Sequence, residues 1–380
     1  MHIVTLNETN ALEKRVALTP QAVQKLVKLA AVVHIPKGLG LALGFSDEDY
    51  AAAGAILFED ADAALRQAEL LVLVNKPSLE TVSKLKNGTI TVSFLEPFRS
   101  QELVKTLRDA KLNSLCMELV PRTTYAQKMD ALSSQASLAG YAAVIKSADV
   151  IAKVLPMMST PAGTIPPARV FILGVGVAGL QAIATAKRLG ARVEAFDTRP
   201  VVAEQVESLG AKFVKIDVGE TGQTEQGYAK PLTDEQLELQ RQGLAKVCAN
   251  ADIVITTAQV FGRAAPRLLT KEMVAGMKAG SVIVDLAAST GGNVEGTIAD
   301  QTVTVNGVQI IGLANLPGEV AKDASQMYAS NVTNLIEHAW NKETKRLELN
   351  LEDAIIKSVL LTHEGEIRDE RIRKLVEGEA

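Results

Sequence analysis

The chain has 380 residues, of which 47% are apolar and only 4% aromatic, and its formal net charge is −4. That apolar content supports two cores built mainly from Ala, Val, Leu and Ile and excludes disorder as a whole-chain state. Lys and Arg are mixed among Asp and Glu without a basic stripe, so nucleic acid is not an expected partner. Cys116 and Cys248 lie too far apart for a metal-spaced pair or a disulfide framework; a reducing compartment is expected, and no metal. The opening "MHIVTLNE" reads as a strand, not a signal peptide. The longest apolar runs, such as "LAAVVHIPKGLGLALGF", are interrupted by His, Pro, Lys and Gly, so no membrane span is expected.

In chain order, "HIVTL" reads as a strand. "TPQAVQKLVKLAA" reads as a helix with Thr19 as N-cap and Pro20 at its first position. The alternation continues through "AVVHIP", "DAALRQA", "ELLVLV", "ETVSKLK", "TITVSFL", "QELVKTLRDAK" and "LNSLCME". Strict alternation of strand and helix predicts a parallel sheet covered by helices. Residues 121–155 read as an entry loop and one long helix. A second alternating series follows, with strands at "RVFIL", "RVEAF", "KFVKI", "DIVITT", "SVIVDLA" and "VQIIGL". The tail "ASQMYASNVTNLIEHAW" is helical and is expected to return to the first domain without adding a sheet. The fold class is therefore α/β, with two Rossmann-like domains on parallel sheets. The first is discontinuous, 1–135 plus 325–380, and the second spans 136–324.

The sharpest motif is "VFILGVGVAGLQAIATAKRLGARVEAFDTR". Gly174, Gly176 and Gly179 form G-x-G-x-x-G between a strand and a helix. The first glycine makes the tight turn, the second admits a pyrophosphate close to the backbone, and the third lets helix and strand pack closely. The helix N-terminus offers N–H groups and a positive dipole end to phosphates. Asp197 ends the next strand at about the offset of 20 residues where a carboxylate meets ribose hydroxyls. It favours NAD(H) over NADP(H), although Arg199 is placed to receive a 2′-phosphate.

The stretch "PRTTYAQKMDALSSQASLAGY" is unusual. With a helix from about Tyr125, Thr124 and Gln127 have the spacing of a capping box. At 3.6 residues per turn, Met129, Leu132, Ala136, Ala139 and Ala143 share one stripe. Gln127, Asp130, Ser134, Ser137 and Tyr141 share the opposite one. Small uncharged polar groups suit close approach of a ligand or of another chain, and they also suit a plain surface helix; the residues alone leave both open.

"PRTTYAQKMDALSSQASLAGY", "PPARVFILGVGVAGLQAIATAKRLGA" and "AGSVIVDLA", together with "KRVALTP", resemble the NAD(H)-binding component of the proton-translocating nicotinamide nucleotide transhydrogenases over essentially the whole chain. The resemblance implies that Arg122, Gln127, Asp130 and Ser133 hold the nicotinamide end of NAD(H), with Gln127 helping to bring a second nicotinamide close. Gln127, Arg122 and Asp130 are the expected catalytic set. The expected cofactor contacts add Thr123, Thr124, Ser133, Gly174, Gly176, Val177, Gly179, Asp197, Thr198, Arg199, Gly227, Tyr228, Gln240 and Gln259. The long connection "DVGETGQTEQGYAKPL" carries Gly219, Gly222 and Gly227, which suits a solvated loop or a lid. The resemblance, through Gly227, Tyr228 and Ala229, favours a mobile lid.

Alanine dehydrogenase shares this architecture and must move a proton as well as a hydride, which calls for a general acid/base. Where that family has a histidine after the strand matched by "TVSFL" and an aspartate after "VDLA", this chain has Glu96 and Ser289. Arg15 and Lys76, which match substrate-carboxylate binders there, are expected to be an ion pair or surface charge here. Hydride transfer between two nicotinamides exchanges no proton and needs no titratable catalyst. The expected function is the NAD(H) component of a transhydrogenase; the alternatives are an alanine-dehydrogenase-like enzyme and a non-catalytic NAD(H)-binding protein. By resemblance the partners are a second copy in a homodimer, an NADP(H)-binding subunit and a membrane-spanning subunit. The chain would then sit in the cytoplasm, peripheral at the inner face of the membrane.

Overall fold

The computed structural model describes residues 1–219 and 233–378, and the chain forms two compact units, Met1–Gln135 with Gly318–Ala380, and Ala136–Pro317. In the first unit an eight-stranded sheet runs Glu366–Ile367, Leu360–His363, Asn113–Cys116, Ile90–Ser93, Leu70–Val72, His2–Thr5, Val32–Pro36, Ile56–Phe58. The six strands from Asn113–Cys116 to Ile56–Phe58 are parallel. Successive residues face opposite sides: Ile3, Val33, Leu70, Val72 and Val92 enter one buried cluster and Val4, Leu71, Leu73 and Cys116 the other. Burial on both faces is why these strands read as continuous apolar runs. Helix Pro20–Lys28 begins as expected, with the Thr19 hydroxyl accepting from the Ala22 N–H at 3.4 Å.

The tail departs from expectation. Beyond helix Ala321–His338, strand Leu360–His363 pairs antiparallel with Asn113–Cys116, and Glu366–Ile367 closes the edge. The turn between them places Glu364 at φ 50° and Gly365 at φ 85°, the left-handed pair of a two-residue hairpin. The sheet is thus mainly parallel with an antiparallel edge.

The second unit carries a seven-stranded sheet in the order Lys212–Phe213, Arg192–Phe196, Arg169–Leu173, Ile253–Thr256, Val282–Asp285, Val308–Ile311, Thr302–Val305. All neighbours are parallel except the last pair, a hairpin turned by Asn306 and Gly307. A separate hairpin, Met158–Thr160 with Gly163–Ile165, lies outside this sheet. Each sheet has a strand whose two neighbours are reached by connections running in opposite directions, His2–Thr5 in the first and Arg169–Leu173 in the second. A crevice opens there, beyond the carboxyl ends of the strands.

In the first unit that crevice is filled by the chain itself. Glu8 accepts from the backbone N–H of Val74 (2.7 Å) and of Asn75 (3.1 Å) and from the Asn75 amide (3.1 Å). Tyr328, fully buried, donates its hydroxyl to the Leu73 carbonyl at 2.7 Å. Burial, helped by the charge on Glu13, lifts the Glu8 carboxyl from 4.5 to about 7 against the pull of those three bonds. The folded protein therefore keeps a proton here that the unfolded chain has lost. The resulting stability is complete below 4.5 and disappears as pH rises through about 7. Glu8→Gln, permanently neutral, is expected to flatten the fall in unfolding midpoint between about pH 5 and about pH 8. Thermal melts across that range are the check; equal falls in both proteins would show that another group is responsible.

Candidate functional site

The crevice of the second unit is built differently. Strand Arg169–Leu173 ends in Gly174 at φ +96°, where a Cβ would stand 2.5 Å from the Thr257 hydroxyl. Helix Val177–Arg188 follows at once, and a Cβ on Gly179 would stand 2.0 Å from the Gly174 carbonyl oxygen. Between them Gly176 is exposed, and a Cβ there would meet none of the described residues within 4 Å. So the fold demands the first and third glycines, and the second leaves open backbone at the start of the helix. No side chain among the described residues caps the helix, which leaves its first-turn N–H groups and positive end to a ligand. These features fit the pyrophosphate of a dinucleotide.

Asp197 stands at the end of the neighbouring strand Arg192–Phe196. One oxygen accepts from the Val175 N–H (2.8 Å) and from Arg199 Nη2 (3.0 Å). The other accepts from the Arg199 N–H (2.9 Å) and from Arg199 Nε (3.0 Å). The carboxylate thus ties the glycine loop to the second strand, with two donors on each of its oxygens. Thr198 is half-buried beside it and Val177 is exposed. The loops after the next two strands are locked together. Asn293 accepts from the Ala258 N–H (3.0 Å) and donates to the carbonyls of Ala258 and Pro266 (2.8 Å each), and Gln259 donates to the Leu286 carbonyl (2.7 Å). Buried Asp285 accepts from Thr256, Ala287, Val294 and Thr297 and holds the second of those loops. Gln240 is buried in helix Asp234–Cys248, and Gly219 donates to Asp217 at 3.0 Å. Gly222, Gly227, Tyr228 and Ala229 lie outside the described residues.

The segment from Arg122 belongs to the first unit. The helix there begins at Ala131, later than expected, after a 3₁₀ turn over Thr124–Met129. Asp130 is its cap: it accepts from the Ser133 N–H (2.9 Å) and from the Ser133 hydroxyl (2.6 Å). An aspartate is the stronger cap, and it displaces the expected pairing of Thr124 with Gln127. Arg122, Thr123, Thr124 and Gln127 are exposed. Ser134 instead bonds Asn331 at 2.7 Å, so the expected polar stripe divides between an exposed part and a part packed on helix Ala321–His338.

The remaining charged candidates are paired. Arg15, buried, is held by Glu13 (2.6 Å) and by Gln135 (2.8 Å). Burial alone would raise the Glu13 carboxyl, but the Arg15 guanidinium and the Asn75 amide hold it below the ordinary range. Lys76 pairs with exposed Glu96 at 2.6 Å, and Ser289 is exposed. Glu118 is half-buried, accepts from Leu95, Glu96 and Cys116, and its carboxyl is raised by desolvation. Both cysteines are buried free thiols; burial pushes Cys248 up to about 12. Among the described residues no group of three or more His, Cys, Asp or Glu is placed to hold a metal ion, and no helix is long and apolar enough to cross a membrane.

One requirement is invisible in the sequence pattern. A Cβ on Gly140 would stand 2.1 Å from the Ala178 carbonyl oxygen, so the helix Ala131–Val150 presses on the first turn of the glycine-loop helix. Its only signal is a glycine within the small-residue run "SLAGYAA".

Sheet order, glycine loop and strand-end carboxylate together define a two-unit α/β protein that binds a dinucleotide. The chain belongs to the alanine dehydrogenase/PNT family, whose N-terminal domain model matches residues 4–139 and whose C-terminal domain model matches residues 143–370. It is 43% identical to the first part of NAD(P) transhydrogenase subunit alpha from Rickettsia prowazekii, over 99% of this chain and 98% of the relative. Alanine dehydrogenase of Halomonas elongata is 31% identical over 90% of this chain and 89% of its own length. Among solved structures, a transhydrogenase from Sinorhizobium meliloti superimposes with a TM-score of 0.83 at 40% identity, covering 97% of this chain and 99% of that one.

The three glycines separate fold from ligand. Gly179→Ala is expected to destabilise by the upper part of the about 1–3 kcal/mol that overpacking costs. Gly176→Ala should leave the unfolding midpoint within about 0.5 kcal/mol of wild type and weaken dinucleotide binding about tenfold or more, about 1.4 kcal/mol. Denaturant unfolding and a binding titration on both variants measure this.

Proposed function

We propose that the chain is the NAD(H)-binding component of a proton-translocating transhydrogenase. NADH held here and NADP+ held on a partner subunit exchange a hydride, and a membrane-spanning subunit couples the exchange to proton movement. The chain works at the cytoplasmic face of the membrane through those partners. The bound cofactor supplies or accepts the hydride at C4 of its nicotinamide. The protein's task is to bind, to orient and to exclude water, bringing the two rings to about 3–3.5 Å. In this reading the Gly174–Gly179 loop holds the pyrophosphate and Asp197 the ribose hydroxyls. Arg122, Gln127 and the Asp130–Ser133 cap hold the nicotinamide end, and Thr123, Thr124, Val177, Thr198, Gln240 and Gln259 line the cofactor.

The observation that carries this reading is the company Glu96 and Ser289 keep. At the two positions where an amine–carbonyl interconversion needs an acid/base, Glu96 is exposed and bound to Lys76, and Ser289 does not titrate. Higher identity to the transhydrogenase relative than to the alanine dehydrogenase agrees with it. The test mixes this chain with a separate NADP(H)-binding subunit, NADPH and an NAD+ analogue of shifted absorbance. Transfer should require both proteins, and Gln127→Asn should slow it at least tenfold while changing NADH affinity little. Wild-type turnover in that variant rejects the role of Gln127; oxidation of NADH by pyruvate with ammonia marks a dehydrogenase instead.

The homodimer has its own support. All six residues of the Met158–Thr160 and Gly163–Ile165 hairpin are exposed, with Met158 and Ile165 among the exposed large apolar side chains and Met157 beside them. A two-stranded hairpin is marginal in water unless something packs on it, and we assign a second copy of the chain to that role. Met158→Asp with Ile165→Asp should shift the sedimentation coefficient from dimer to monomer; an unchanged dimer places the interface elsewhere.

A further inference from the structure

Helix Ala321–His338 brings two amides to one carbonyl of the first unit. Asn331 Nδ2 donates to the Lys128 carbonyl at 2.9 Å, and Asn334 Nδ2 donates to the same oxygen at 3.0 Å. Residues three apart share one face of a helix, so both amides reach out from a single rigid edge. Asn331 is nearly buried, at 7% exposure, and its own oxygen accepts the Ser134 hydroxyl at 2.7 Å. Chemistry fixes the orientation of that amide. The Lys128 carbonyl can only accept, so the nitrogen faces it and the oxygen faces Ser134. Lys128 lies in the 3₁₀ turn Thr124–Met129, directly after exposed Gln127. Ser134 lies in the first turn of helix Ala131–Val150, directly after Ser133. One buried amide thus spans both halves of the segment, the turn that carries Gln127 and the Asp130–Ser133 cap.

The turn is seated without it. Ala126 and Met129 are fully buried, and the Asp130 N–H closes on the Gln127 carbonyl at 3.2 Å. The Lys128 carbonyl needs one donor, and Asn334 supplies one. Burying a second amide beside fully buried Tyr328, Val332 and Leu335 carries a desolvation cost that its bonds to Ser134 and Lys128 offset. What the second donor adds is direction. A single hydrogen bond lets the turn pivot about the carbonyl oxygen; two bonds from fixed points on one helix do not.

We propose that Asn331 is a positioning residue for hydride transfer. It holds Gln127 at a fixed spacing from the Asp130–Ser133 cap, and with it the angle at which the ring held there meets the second nicotinamide. This inference rests on the reading that the segment from Arg122 to Ser133 holds the nicotinamide end of NAD(H). Near-attack geometry is narrow, so a small swing of the turn slows transfer far more than it weakens nucleotide binding.

The experiment compares wild type, Asn331→Ala, Gln127→Asn and the double variant, with Ser134→Ala as a second way of releasing the amide. Each is mixed with a separate NADP(H)-binding subunit, NADPH and an NAD+ analogue of shifted absorbance, all nucleotides saturating. NADH affinity is titrated by fluorescence, and the unfolding midpoint is recorded. Asn331→Ala is expected to slow transfer about tenfold or more with NADH affinity changed by no more than about twofold, the pattern of an interaction used in the transition state. In the Gln127→Asn background the same substitution should cost no more than about twofold, because the amide that it positions has already been withdrawn. Ser134→Ala should give a smaller loss of the same kind. If Asn331→Ala loses its far-ultraviolet helical signal, Ser134→Ala carries the comparison with Gln127→Asn. A role in stability alone would lower the unfolding midpoint and leave transfer by the folded protein at the wild-type rate. That result, or losses that multiply in the double variant while Gln127→Asn alone is slow, overturns the inference alone. No transfer by wild type, or a wild-type rate in Gln127→Asn, overturns the reading of the site and this inference with it.

Discussion

A helix that begins immediately after a parallel strand, and presses its first turn on the strand's last carbonyl, has no room for a β-carbon at the point of closest approach. In the second unit that point is Gly179 over the Gly174 oxygen, and a second squeeze, Gly140 on Ala178, bears on the same turn. The two contacts fix where the helix N-terminus points. Once it is fixed, the exposed backbone at Gly176 faces the crevice at the sheet's switch point, and the positive end of the helix dipole faces it too. Asp197 adds the lateral constraint through the Val175 N–H, so loop, helix and neighbouring strand form one rigid cradle.

The first unit has the same topology around His2–Thr5 and a different chemistry. Where the second unit leaves backbone N–H groups open for a ligand, the first answers them internally: Glu8 takes those of Val74 and Asn75, and Glu118 takes those of Leu95 and Glu96. Two carboxyl groups capping successive strand ends thus take up the backbone donors that a phosphate would need. Arg15 and Lys76 are engaged by Glu13 and Glu96, so neither is a lone cation waiting for a small acid. Topology alone would give both units a nucleotide site, and the side chains at the strand exits decide otherwise for the first.

Much of this is legible in the chain. Alternating apolar runs carry the strand–helix rhythm because each sheet is buried on both faces. The glycine spacing carries its own mechanism, and space and φ account for the first and third of the three. What the pattern hides has physical reasons. Edge strands such as Thr302–Val305 are short and half-exposed, so their apolar signal is weak, although the Asn306-Gly307 turn is a readable hairpin marker. The late start of helix Ala131–Val150 is hidden because Thr124 and Gln127 have capping-box spacing as good as any, and only the fold shows that Asp130 does the capping. The need for glycine at 140 arises from a helix distant in sequence, which no local pattern encodes.

The division of Gln127 and Asp130 follows from the same local detail. Asp130 and Ser133 satisfy one another and the helix end, which makes that corner stiff before any cofactor arrives. Gln127 sits one 3₁₀ turn earlier, exposed, on a segment anchored through the Lys128 carbonyl by Asn331 and Asn334. A stiff corner with one exposed amide is suited to orienting a neutral carboxamide ring. It is poorly suited to moving protons, since Thr123, Thr124 and Gln127 offer only hydroxyl and amide groups. Hydride exchange between two nicotinamides asks for that combination: orientation held by the backbone cap, hydrogen bonding supplied by an amide, and no group whose protonation would tie the rate of transfer to the pH of the surrounding water.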